Sequence, residues 1–115
     1  MTTDRELLEL AAKAAGYVID SYLQNGGCWV YLKDAAQNKD GEMPIFRWDP
    51  RGDDGHAQRL AVALNLQVAC SPPGRCEVVG MTDQLYAYEQ SESDPCAAAR
   101  LAIFRAAVAI GNAMP

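Results

Sequence analysis

Trp48, Asp49, Asp53, Asp54, His56 and Arg59 fall close together in mid-chain and gather three carboxylates around the only histidine. Carboxylate oxygens suit a hard cation such as Mg²⁺ or Ca²⁺, and a metal-bound water beside an imidazole would serve a small hydrolase or nucleotide-handling enzyme. The spacing is not that of a calcium loop, however, and a plainer reading accounts for the same residues. Asp49-Pro50 favours a turn, Gly52 and Gly55 ease the steric limits of a strand-to-helix connection, and Asp53 or Asp54 caps the helix that follows. In that reading Trp48 packs over the helix and Arg59 pairs with a carboxylate. A phosphate at the same helix N-terminus would meet backbone N–H groups, but two adjacent carboxylates oppose it.

His56 is the sole imidazole, so a Cys–His or Ser–His dyad must use it, and nothing in the order of residues places a nucleophile beside it. We therefore assign no catalytic residue, no metal and no cofactor, and expect His56 to be an exposed side chain at a helix start. Arg47, Arg51 and Arg59 interleave with Asp49, Asp53 and Asp54, which reads as a paired, solvated surface rather than a basic patch. Tyr86 and Tyr88, together with Trp29, Tyr31 and Trp48, form a second candidate. On an uncovered sheet face such rings make a platform for a partner; under helices they are core.

The four cysteines, Cys28, Cys70, Cys76 and Cys96, include no Cys-x-x-Cys pair, so neither a zinc site nor a thioredoxin-like motif is expected. Cys70 and Cys76 flank Ser71-Pro72-Pro73-Gly74-Arg75, a turn that brings two strands together. They read as small strand residues, with an oxidised pair as the alternative.

These groups sit in a chain of 115 residues with 10 basic and 15 acidic side chains, a formal charge of −5 and 50% hydrophobic residues. That composition suits one domain with a core of its own. The acidic balance excludes a general grip on nucleic acid, which requires surplus Lys and Arg. The opening residues lack the order of a secretion signal, and no apolar run approaches the roughly 18 residues that span a bilayer, so a cytoplasmic protein without membrane contact is expected.

The elements that must position the candidates are legible. Thr3-x-x-Glu6 is a capping box, and apolar residues at helical spacing lead from it to Gly16, predicting a helix over Asp4 to Ala15. A second helix opens at Asp53-Asp54-Gly55 and ends near Asn65. A third starts at Asp94-Pro95 and runs to Gly111, with one stripe of Leu101, Phe104 and Val108 and another of Ile103, Ala107 and Ile110; so broad an apolar surface predicts burial on more than one side. Tyr17 to Leu23 and Cys28 to Lys33 flank Gln24-Asn25-Gly26-Gly27 as a hairpin. Ile45 to Trp48 follows a polar loop over Asp34 to Glu42, and Val68 to Cys70, Cys76 to Met81 and Leu85 to Glu89 complete the strands. Alternation in the last places Tyr86 and Tyr88 on one face. The order α-β-β-β-α-β-β-β-α with hairpin connections predicts an α+β fold, a mainly antiparallel sheet layered with three helices as an α/β/α-type sandwich.

The stretch from Phe46 to Val62, with Trp48-Asp49-Pro50, Asp53-Asp54-Gly55-His56-Ala57 and Arg59-Leu60-Ala61-Val62, resembles the central motif of the phage ABA sandwich domain proteins, a family related to the NinX-like group. Asp4 to Gly16 and Asp94 to Pro115 resemble that family's opening and close. The resemblance implies an α/β sandwich made by bacteriophages or prophages as a non-structural accessory protein, and it carries over no catalytic residue. Asp49 stands where the pattern often has Asn, and His56 where it often has Asp. The expected function is thus non-enzymatic binding of a host protein or small ligand, in a role that would counteract a host defence, with a small metal-dependent hydrolase or nucleotide-handling enzyme on Asp49, Asp53, Asp54 and His56 as the alternative. A homodimer through an edge strand or sheet face is the expected assembly.

Overall fold

Thr3 begins the first helix as its sequence requires: its Oγ1 accepts the Glu6 N–H at 3.2 Å, and its hydroxyl donates to Glu6 Oε1 at 3.3 Å. The helix, α1 (Asp4–Ala15), stops at Gly16, whose φ of 80° is the left-handed conformation that glycine adopts without penalty. The computed structural model describes residues 3–24, 26–33, 44–80 and 85–115; the predicted polar loop at 34–42 lies outside the described residues.

After α1 the chain forms β1 (Tyr17–Tyr22), β2 (Cys28–Leu32), β3 (Phe46–Trp48), α2 (Asp54–Ala63), β4 (Gln67–Ser71), β5 (Arg75–Val79), β6 (Leu85–Gln90) and α3 (Pro95–Ala113). This is the predicted order, and the fold is α+β. Among the described residues the strands form two antiparallel sheets, β1-β2-β3 and β4-β5-β6, instead of a single continuous one. The registers pair Tyr22 with Cys28 and Cys28 with Trp48 in the first sheet, and Cys70 with Cys76 and Cys76 with Glu89 in the second.

One helix joins the two halves. α3 packs against α1, α2 and the second sheet, and its Ala98, Ala102, Ile103, Phe104, Ala106, Ala107 and Gly111 are buried. Small side chains allow the close approach. At Gly111 a Cβ would collide with the backbone carbonyl of Leu10 on α1, so only glycine fits that crossing. Leu8, Val30, Trp48, Leu60, Val78 and Phe104 fill the space between the layers, and burying each large side chain contributes about 1.5–3 kcal/mol.

The sequence-based statement that no segment is apolar enough for a bilayer needs correction. α3 has the length and the composition, with a mean hydropathy of 1.3. Its apolarity comes largely from alanines and reflects contact with elements on several sides, as expected of a helix at the centre of a fold.

Candidate functional site

The mid-chain motif is a connection between β3 and α2 whose polar groups are turned inward on its own backbone. Asp49 accepts the Gly52 N–H through Oδ1 at 3.1 Å and the Asp53 N–H through its carbonyl at 2.9 Å. Its own N–H donates to His56 Nδ1 at 2.9 Å, so the ring proton resides on Nε2. Asp53 caps α2: Oδ1 accepts the His56 N–H at 2.9 Å, and that bond is the main cause holding the Asp53 carboxyl below the usual carboxylate range. Trp48 is buried and meets Tyr17 edge-on with ring centroids 5.3 Å apart, while Pro50 is among the most deeply buried side chains.

Cations from elsewhere finish the connection. Arg100 of α3 donates through Nη1 to Asp54 Oδ1 at 2.6 Å and through Nε to the Arg51 carbonyl at 2.9 Å. Arg51 reaches Asp4 on α1 at 3.4 Å and lies over the Phe104 ring at 5.0 Å. Arg47 faces Asp49 at 3.6 Å. The β1–β2 hairpin also closes on the motif: Gly27, at φ 88°, leaves so little room that an added Cβ would lie 2.9 Å from Asp49 Cβ.

Asp49, Asp53 and Asp54 therefore serve three separate partners. Among the described residues no group of three or more His, Cys, Asp or Glu side chains is placed to hold a metal ion. His56 is half-buried and acts as an acceptor, where an exposed side chain was expected. Arg59 was expected to pair with a carboxylate; it is exposed and forms no salt bridge among the described residues, because α3 supplies Arg100 to Asp54 instead. Nothing in the order of residues announced Arg100, since its partner lies 46 positions away.

The aromatic candidates do not share one surface. Trp48 belongs to the core, and Trp29 lies exposed on the first sheet opposite Arg47. On β6 the ladder slips by one residue at Tyr86, and this bulge breaks the alternation that predicted a common face for the two tyrosines. Tyr86 turns its ring over Gly80 and packs against the core, whereas Tyr88 is 52% exposed with Arg75 stacked over it at 4.7 Å.

A different feature emerges between α1, β6 and α3: an open groove of about 1060 Å³. Its floor is the Leu101, Phe104 and Val108 stripe of α3, its walls carry Leu7 and Leu10 of α1 on one side and β6 on the other, and the Arg51–Asp4 and Arg105–Glu89 ion pairs stand at its rim. Among the described residues β6 is an edge strand. Ser91 N–H donates to the Gly74 carbonyl at 3.0 Å, and the alternation of an antiparallel ladder then turns the backbone groups of Tyr88 and Gln90 away from β5. The apolar stripe was visible in the sequence; that it passes from the buried Phe104 to Leu101, 39% exposed in the groove, was not.

Comparison of the chain with protein-family models, with curated proteins and with solved structures finds no match in any of the three. The class rests on the fold alone: among the described residues, an α+β domain of two antiparallel sheets joined through one central helix, with a groove along the edge strand β6.

Proposed function

We propose that this chain is a non-enzymatic accessory protein of a bacteriophage or prophage that acts by binding a host protein or small ligand in the groove between α1, β6 and α3. The observation that carries the reading is the groove itself, which combines an apolar floor, charged rim pairs and a strand edge. Such an edge accepts an extended chain by adding a strand, with main-chain bonds supplying affinity and side-chain pockets selectivity, so a segment of a host protein is the preferred occupant. The phage setting rests on the resemblance of the central motif and the two end segments. Engagement of Asp49, Asp53, Asp54 and His56 in caps, turns and ion pairs supports binding over hydrolysis, since each group already satisfies its neighbours.

Affinity capture from a bacterial host, run in parallel with wild-type protein and Leu101→Glu, tests the reading. Leu101 is 39% exposed on the groove floor, so a charge there spoils the floor without disturbing the core. The expected result is a species retained by wild type and lost from the variant at equal melting temperature. Identical retention by both proteins, or no species above a control with scrambled surface residues, would sink it. A melting-temperature rise with Mg²⁺, Mn²⁺ or Ca²⁺ that Asp49→Ala abolishes would favour the hydrolase instead.

A further inference from the structure

We propose that Cys70 and Cys76 form a dithiol site that exchanges with low-molecular-weight disulfides and closes to an intramolecular disulfide across the β4–β5 hairpin. The two residues are directly opposed in the antiparallel register. Opposed pairs hold their Cα atoms about 4.5–5.5 Å apart, inside the roughly 4.4–6.8 Å that a disulfide spans, and direct opposition sends both side chains to the same face. The sequence suggested that the turn could bring these strands together; the register supplies the alignment on which the bond depends.

The two thiols differ in access. Cys70 is exposed on β4, the edge strand of its sheet among the described residues, whereas Cys76 is buried beneath the start of α3, its Sγ 3.6 Å from the Pro95 carbonyl. Burial first, then the neighbouring Cys70 thiol and the more remote Cys96, push the Cys76 thiol up to about 11. That ordering assigns the steps. Cys70 loses its proton and attacks one sulfur of a small disulfide RSSR; the S–S bond breaks, RS⁻ departs and takes up the proton, and Cys70 carries SR as a mixed disulfide. Cys76 then gives up its proton and attacks the Cys70 sulfur, expelling the second RS⁻, which leaves as RSH. The sum is two protein thiols and one RSSR converted to one protein disulfide and two RSH, with the protein oxidised and the small disulfide reduced. Cys28, buried beside the Trp48 carbonyl, and Cys96, exposed in the first turn of α3, serve as internal comparisons.

The test uses the full chain equilibrated in buffers of oxidised and reduced glutathione, quenched with an alkylating agent, and cut with trypsin together with a glutamate-specific protease. Cleavage after Arg59, Arg75 and Glu77 separates all of the relevant cysteines. The expected product joins the peptide of residues 60–75 to Cys76-Glu77 with loss of two hydrogens, and leaves Cys28 and Cys96 alkylated. Cys96→Ser should form the same link, and Cys70→Ser, a change at an exposed position, should leave Cys76 reduced. A link from either cysteine to Cys96, a stable glutathione adduct on Cys70 with Cys76 free, or no reaction at all would overturn the proposal. The groove variant Leu101→Glu should oxidise like wild type, so this result stands apart from the binding test.

Discussion

Asp49 and His56 hold each other across the start of α2: the backbone N–H of one donates to Nδ1 of the other at 2.9 Å, while the His56 N–H is spent on Asp53. The only imidazole of the chain is thereby a fixed acceptor in a chain reversal, and its chemistry is directed at the backbone.

Replacing His56 by Leu should leave the Asp49 N–H without its acceptor in a half-buried position, at a cost of about 1–3 kcal/mol in urea denaturation. His56→Asn, which keeps a side-chain acceptor, should recover part of that loss. Equal midpoints for wild type and His56→Leu would show that the bond contributes nothing.

Gly111→Ala should be destabilising although alanine is the better helix former, because its methyl group must enter the space of the Leu10 carbonyl. Overpacking of this kind costs about 1–3 kcal/mol. Ala109→Ser, on an exposed position of the same helix, provides the comparison and should melt near wild type. A stabilised Gly111→Ala protein would mean that the helices part at this crossing.

Alkaline pH should weaken the fold through two groups that hold their protons more tightly in the folded chain. Cys28 is pushed up to about 11, first by burial and then by the charge of Asp49, and Tyr22 to about 12, first by burial and then by its hydrogen bond to Glu9. In both cases the unfolded chain releases its proton at a lower pH than the folded one, near the ordinary 9.0 for the thiol and 10.0 for the phenol. The stability these two groups contribute is therefore complete below pH 9 and is lost as the pH rises through the folded values. Melting curves from pH 8 to pH 12 should show this decline, and Cys28→Ala should reduce its lower part while leaving the part due to Tyr22. A flat profile in both proteins would refute the assignment.

The elements were legible because their ends carry local chemistry. Thr3 and Glu6, Gly16, Asp53 and Asp94-Pro95 each act within a few residues of where they stand, so the three helices begin and stop close to where the sequence places them. What escaped sequence reasoning is non-local. The Arg100–Asp54 and Arg51–Asp4 pairs join segments far apart in the chain, and no periodicity encodes them. The bulge at Tyr86 shifts one side chain and thereby dissolves a predicted pair of tyrosines. The groove depends on a stripe of α3 in which Phe104 is buried and Leu101 is exposed, a difference that the apolar spacing does not encode.

α3 comes last in the element order, yet both halves of the molecule lean on it. A nascent chain emerging from the ribosome can form α1, the first hairpin and even the second sheet, but it has nothing to close them around until Pro95 and the residues beyond have cleared the exit tunnel. Synthesis halted ahead of that point would release the second sheet without the helix that packs against it, and α1 and α2 without their common neighbour, a species suited to chaperones and proteases.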